Sequence, residues 1–302
     1  MSVLSIILLI IFFSIVISYV LVLIQHWQKY RKIQLSAPMY SILALLGRES
    51  VVPRKADRLF FELGPALLLI VAMLAIAVIP LSPELVMINL ATGALFLNAI
   101  LAYVLVALIM AGWGPNGGYA MVGGWRFLGQ LVAYAMLIVM PITAVAMRAE
   151  SLLTTNIVTS QVGMWNIFYQ PVGFVLFYFA SMAMAFLPPF DLANASGELA
   201  GGLESEYSGV RLLIFRLGHI LLVFTLAAAT VTFYLGGWLG PYLPAWLWSA
   251  IKIVLVAASM FSIGHFVPRI REAQMMSWCW KIGIPLALFN IFLVGVMVVV
   301  FP

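Results

Sequence analysis

Eight long apolar stretches alternate with shorter polar ones along the chain, near 3–24, 59–81, 87–110, 127–147, 168–187, 213–235, 246–266 and 282–301. At 1.5 Å per residue, about 20 helical residues cross a hydrocarbon layer roughly 30 Å thick. None of the stretches alternates with a period of two, so they predict helices rather than the strands of a barrel. The pattern therefore predicts an all-α integral membrane protein of about eight transmembrane helices, forming a single polytopic membrane domain over 1–302. Composition agrees: 65% of the 302 residues are hydrophobic and 8% charged, against roughly 25% charged in a soluble domain. The first stretch has no basic residue before it and no small-residue cleavage site after it, which predicts a retained span rather than a signal peptide.

Charge orients the spans. The first connection carries Lys29, Arg31, Lys32, Arg48, Arg54, Lys55 and Arg58, the third Arg126, the fifth Arg211, and the seventh Arg269, Arg271 and Lys281. The even-numbered connections carry only Arg148, so the count is twelve basic side chains against one. Basic residues collect on the cytoplasmic side of membranes, which predicts N- and C-termini on the outer side and the odd connections in the cytoplasm. Topology accounts for the net charge of +5, and nucleic acid is not expected as a partner. Membrane lipid is. Residues 25–58 form a cytoplasmic loop in which Pro38–Leu46 is apolar enough to lie along the interface as a short helix.

Chemistry-bearing residues are few. The acidic cytoplasmic loop 188–209 holds Asp191, Glu198, Glu204 and Glu206, four of the ten acids. Carboxylates at a membrane edge can pair with arginines of neighbouring loops or subunits, or relay protons; an ordinary solvated loop is the plain alternative. Inside the spans stand Arg216, His219 and Lys252. Arg216 and His219 share a helix face, so two cations there repel unless His219 is neutral, as burial alone favours, or an acid lies close. Lys252 pairs within the bundle, snorkels to an interface or serves the ion path. The nine tryptophans need only the aromatic belt. A single cysteine, Cys279, excludes an intramolecular disulfide and any cysteine-ligated cluster made by this chain alone. No metal site, phosphate loop or nucleophile elbow is evident, no catalytic residue is assigned, and Gly117-Gly118 and Gly201-Gly202 look like loop punctuation.

Several strings carry a family resemblance. Pro189-Phe190-Asp191-Leu192, Glu198-Leu199 and Glu206-Tyr207-Ser208-Gly209 resemble the fifth-loop signature of the complex I membrane protein called NADH dehydrogenase subunit 1, and of the related membrane subunits of formate hydrogenlyase and energy-converting hydrogenases. Gly112-Trp113, Asn116, Tyr119-Ala120, Gly123, Arg126, Gln130 and Tyr134 are similar to the family's third loop and fourth helix. Leu235-Gly236-Gly237-Trp238, Lys252, Pro268-Arg269, Arg271, Gln274, Trp280-Lys281, Pro285-Leu286-Ala287-Leu288 and Asn290 extend the likeness to the end of the chain, and Leu45-Leu46-Gly47-Arg48-Glu49-Ser50 is close to the hydrogenase-type first loop.

The resemblance implies a membrane-anchoring and coupling subunit, not a complete enzyme, in an NADH/quinone-type oxidoreductase or membrane-bound hydrogenase of a bacterial or archaeal inner membrane. Its implied partners are the iron–sulfur and catalytic hydrophilic subunits and antiporter-like membrane subunits. No cofactor is bound by this chain alone: iron–sulfur clusters belong to the partners, and quinone is implied at the interface with no binding residues assigned. Docking and coupling fall to Asp191, Glu198, Glu204, Glu206, Tyr207, Arg126, Arg269 and Arg271, and the intramembrane ion path to His219, Lys252 and Arg216. Yet the family's line of buried glutamates is missing, with Ala135, Met184, Asn194, Ser196 and His219 at those positions. The quinone side departs too: Tyr30-Arg31-Lys32-Ile33, Ser41, Ala44, Ser262, Gly264 and Ala273 replace the usual residues. A structural anchor without its own proton path is therefore the first alternative reading. A stand-alone transporter is the second, disfavoured because no internal repeat is evident.

Overall fold

The computed structural model describes residues 3–31 and 34–300, without the side chains of residues 3, 4, 6, 7 and 196. Lys32 and Ile33, counted above in the first connection, lie outside the described residues.

The described chain is helical throughout. Its elements are α1 (Val3–Tyr30), α2 (Ala37–Leu46), α3 (Arg58–Val78), α4 (Gly93–Trp113), α5 (Gly118–Ala149), α6 (Thr154–Thr159), α7 (Asn166–Tyr169), α8 (Pro171–Met184), α9 (Ser196–Leu199), α10 (Gly209–Tyr234), α11 (Ala245–Phe266), α12 (Glu272–Trp278) and α13 (Ile284–Val300). A π-helical turn, Cys279–Gly283, fuses α12 to α13. Seven helices are long and apolar enough to cross a membrane, the last being the fused Glu272–Val300. The remaining expected span, 168–187, is built differently. Its helix α8 has 14 residues, about 21 Å of rise, and a break at Gln170 separates it from α7.

Two spans begin earlier than hydropathy alone suggests. α5 starts at Gly118, so the Gly117-Gly118 pair read as punctuation caps and opens a helix. Likewise the last span starts at Glu272 rather than near 282. The first turns of α5 are rich in glycine, and those of α12 carry Glu272 and Gln274, so neither has the continuous apolar run that marks a span.

α10 is the central post: every residue from Leu222 to Tyr234 is buried, as expected of a helix apolar on all sides. α3 packs against both α10 and α4. The α3–α4 contact depends on a small residue, since a Cβ on Gly64 would stand 2.7 Å from the Ala111 backbone nitrogen. Close backbone approach of this kind supplies packing energy where lipid removes the hydrophobic drive.

The connections gather at two opposite ends, odd-numbered ones at one and even-numbered ones at the other. At the odd end, Asp57 N–H donates to Gly114 O at 2.8 Å and Val51 N–H to Ser208 Oγ at 2.8 Å, joining the first connection to the third and the fifth. Gly209, at φ +58°, lets this junction form, because a Cβ there would sit 2.7 Å from Arg48 O. At the even end, Ala94 N–H donates to Leu152 O at 2.9 Å and Thr154 Oγ1 to Val78 O at 2.9 Å.

Candidate functional site

Among the described residues all four ion pairs lie at the odd end: Arg126–Glu198 at 2.7 Å, Arg216–Glu204 at 3.1 Å, Arg269–Asp191 at 3.1 Å, and Arg211–Glu62, whose Nε–Oε1 contact is 3.0 Å. Three of them tie the acidic loop to other elements, two of these across 72 and 78 residues. That loop leaves α8 through Phe186, at φ +39°, and its course is held from below by Gln130. The Gln130 side chain, fully buried, donates from Nε2 to Phe190 O at 2.6 Å.

Asp191 and Glu204 form the inner part of the face. Asp191 is only 14% exposed, and burial raises its carboxyl to about 6; nearby Glu204 adds to the rise, while Arg269 and a backbone N–H of Asn194 oppose it. Glu204 bonds Arg216 Nε through one oxygen and accepts from Asn194 Nδ2 at 3.3 Å through the other. One turn along α10 from Arg216, His219 places Nε2 2.9 Å from Ala185 O and stacks on Phe186, ring centroids 4.1 Å apart. A carbonyl only accepts, so in that contact Nε2 carries the proton. Of the two ways to avoid repulsion between Arg216 and His219, a nearby acid is present: Glu204, from the loop, pairs with Arg216.

The other residues singled out from the sequence are placed as follows. Glu198, 65% exposed, makes a surface bridge, the kind that contributes little to stability. Glu206 rests against Gly117, where a Cβ would stand 2.8 Å from Oε1. Tyr207 is a plug rather than a surface group. Its ring is stacked between Phe61, at 4.6 Å, and Phe215, at 6.0 Å, and its hydroxyl donates to Ala111 O at 3.1 Å. Burial, helped by Glu62, pushes the Tyr207 phenol well above its ordinary range, which keeps it neutral. Arg271 stands at the N-terminal cap position of α12 and makes no ion pair among the described residues.

Lys252 lies at the opposite end. Its ammonium donates to Leu235 O at 2.7 Å, Gly237 O at 3.0 Å and Leu239 O at 2.7 Å, beneath the Trp165 ring at 4.3 Å. The last carbonyls of α10 are closed by side chains in the same manner, Thr232 O by Gln161 at 2.8 Å and Phe233 O by Asn166 at 2.7 Å. A cation at a helix C-terminus also meets the negative end of the helix dipole. The run from His219 to Leu235 is 16 residues of one helix, roughly 24 Å, so Lys252 and His219 do not touch and share no partner among the described residues.

Sequence reasoning missed Gln130, Gln161 and the Arg211–Glu62 pair as organisers. Buried glutamines within apolar runs were the available signal, since amides enter such surroundings only with partners. A direct check concerns Asp191. Infrared difference spectra of its carboxyl band, assigned with Asp191→Asn, should show a midpoint near pH 6, and Arg269→Gln, which removes the opposing cation, should move it higher. A midpoint near 4 in the parent would contradict the buried setting.

A bundle of long apolar helices, with the ion pairs of the described residues gathered on one loop face, defines a polytopic membrane protein. The chain belongs to the NADH dehydrogenase family, whose model matches residues 3–295. It is 36% identical over 267 residues to the first of the H-type subunits of NADH-quinone oxidoreductase in Geobacter metallireducens, covering 85% of this chain and 81% of the relative. It is also 36% identical to the H-type subunit of the same oxidoreductase in Syntrophotalea carbinolica, covering 84% and 80%, and to the second such subunit in Syntrophobacter fumaroxidans, covering 88% and 83%. Together with the seven apolar helices, membership in this family makes the chain an integral inner-membrane subunit of a multisubunit oxidoreductase complex.

Proposed function

We propose that this chain anchors the iron–sulfur and catalytic subunits of a complex-I-like, quinone-type oxidoreductase or membrane-bound hydrogenase, and links their electron transfer to ion movement in antiporter-like neighbours. The carrying observation is the closure of the first, third, fifth and seventh connections into one face by hydrogen bonds and ion pairs, with the Arg216–Glu204 pair one helical turn from His219. In this reading the face is cytoplasmic. Asp191 and Glu204 sense the docked arm, because a shift of the loop trades the Arg269 and Arg216 contacts against protonation of Asp191. His219, next to the loop's exit at Ala185, takes and returns a proton.

Orientation is tested by labelling. Single cysteines at Ser205 and Tyr242, exposed at the odd and even ends, should react with an impermeant reagent only from the cytoplasmic and the outer side, respectively. The opposite pattern would remove the docking face. Docking is tested by assembly: Asp191→Ala and Arg269→Ala should each lower the yield of intact complex, since removing one member of a desolvated pair typically costs about 3–5 kcal/mol, and this pair is only partly desolvated. Exposed Glu198→Ala should leave it near normal. Equal yields from all three would argue against the assignment.

The anchor reading, without a proton path through this chain, is favoured by one feature, the distance between His219 and Lys252. Coupling that persists without a titratable group at 219 would select it.

A further inference from the structure

The break in the fifth span brings uncharged polar groups together inside the bundle. Gln170 separates α7 from α8 in a non-helical conformation, φ −138° and ψ 68°, and Pro171 after it has no N–H to offer. The Gln170 side chain is 1% exposed and that of Asn290 on α13 is 4% exposed, while Tyr234 at the end of α10 is fully buried. Asn290 Nδ2 donates to Gln170 Oε1 at 3.4 Å, which leaves Gln170 Nε2 as a donor. Among the described residues neither Gln170 Nε2 nor the Tyr234 hydroxyl has a hydrogen-bond partner.

Two of these groups, Asn290 and Tyr234, meet at Gly173, and the Gln170 amide joins them through Asn290. A Cβ there would stand 2.8 Å from Asn290 Nδ2 and 3.0 Å from the Tyr234 hydroxyl, so glycine is what admits the polar atoms to the helix surface. The Tyr234 ring is held from its sides by Phe174 and Phe177, at 5.8 and 5.7 Å, so the hydroxyl cannot swing away to find another partner. α13 continues ten residues beyond Asn290 to Val300, about 15 Å, which puts the cluster well inside the bundle. Two buried polar groups without partners are costly, and burial of this kind is normally relieved by an internal water. The lining is rich in donors and carries no charge. A cation finds too few acceptors there, and a bare anion finds no countercharge, whereas water accepts from Gln170 and Tyr234 and still donates.

We propose that the break between α7 and α8 is a binding site for an ordered water molecule, shared by Gln170 Nε2 and the Tyr234 hydroxyl beside Gly173. It supplies an exchangeable hydrogen-bonding group to a span in which the chain has no acid.

The test uses the native complex. Tyr234→Phe keeps the ring and removes only the hydroxyl. With a shared water its thermal midpoint falls, and with a truly unpartnered hydroxyl it rises, which would overturn the proposal. Gln170→Met combined with Tyr234→Phe should be less than additive, because the first change already releases the water; additivity would count against a shared molecule. Radiolytic labelling should mark Tyr234 above its buried neighbour Phe177, since bound water generates hydroxyl radicals in place, and an unlabelled Tyr234 would overturn the site even if the double variant does not assemble. Replacing chloride by gluconate should leave the midpoint unchanged. A chloride-dependent midpoint would replace water by an anion as the occupant.

Discussion

Lys252→Met is expected to loosen the even-loop end of the protein more than any other single change there. It removes one ammonium from three backbone carbonyls at 2.7–3.0 Å, and a methyl thioether cannot replace even one of those bonds. Breaking a buried, charge-stabilised contact by deleting one side typically costs about 3–5 kcal/mol. Loss should concentrate in the turn 235–244, so protease cleavage there should rise and the thermal midpoint of the purified complex should fall. Lys252→Arg should recover part of the midpoint, because guanidinium also donates to carbonyls and stacks on tryptophan. If Lys252→Met leaves both measures unchanged, the lysine is not a clamp and its assignment to the ion path regains force.

His219→Phe should abolish coupled ion movement while electron transfer in the docked arm continues. Phenylalanine preserves the stack on Phe186 and fills the same volume, but it cannot donate to Ala185 O or exchange a proton. An imidazole changes charge near neutral pH at little energetic cost, which a methyl, amide or thioether at the other former acid positions cannot do. The two activities are separable in proteoliposomes by following proton uptake alongside substrate oxidation. Coupling that survives His219→Phe would assign this chain the role of anchor.

Much of the fold was legible because bilayer thickness imposes a length on apolar runs, and the family signature in the acidic loop was legible because its residues are close together in sequence. Lost from view were the features that arise between elements. Gln170 falls inside the expected span 168–187 with no local sign of a break, which shows only once Asn290 and Tyr234 are seen around it. Asp191 and Arg269 each belong to strings that carry the family resemblance, yet their pairing across 78 residues is a tertiary fact. For Lys252 the sequence leaves pairing within the bundle, snorkelling and the ion path open, and only the loop that folds over it shows the helix-end carbonyls it binds. Tyr207, quoted among loop residues, is instead part of an aromatic stack with Phe61 and Phe215, for which the sequence offers no local sign.

The clamping of α10 has a mechanical consequence. Its far end is held by Gln161, Asn166 and Lys252, and its near end by the Tyr207 stack and the Arg211–Glu62 pair. Sliding or rotating this helix as a rigid body would break all of these contacts in one step, whereas bending segment 185–206 leaves them intact and breaks only its own contacts with Arg126, Gln130, Arg216 and Arg269 one at a time; Phe186 and Ala200 already sit at positive φ there. The compliant part of the protein is therefore a strap of about twenty residues running across a stiff pillar. Amide exchange should register this as two regimes, with slow exchange along Leu222–Tyr234 and fast exchange along the strap. A signal from the docked arm would then travel sideways along the membrane surface before it reaches the interior at residue 219.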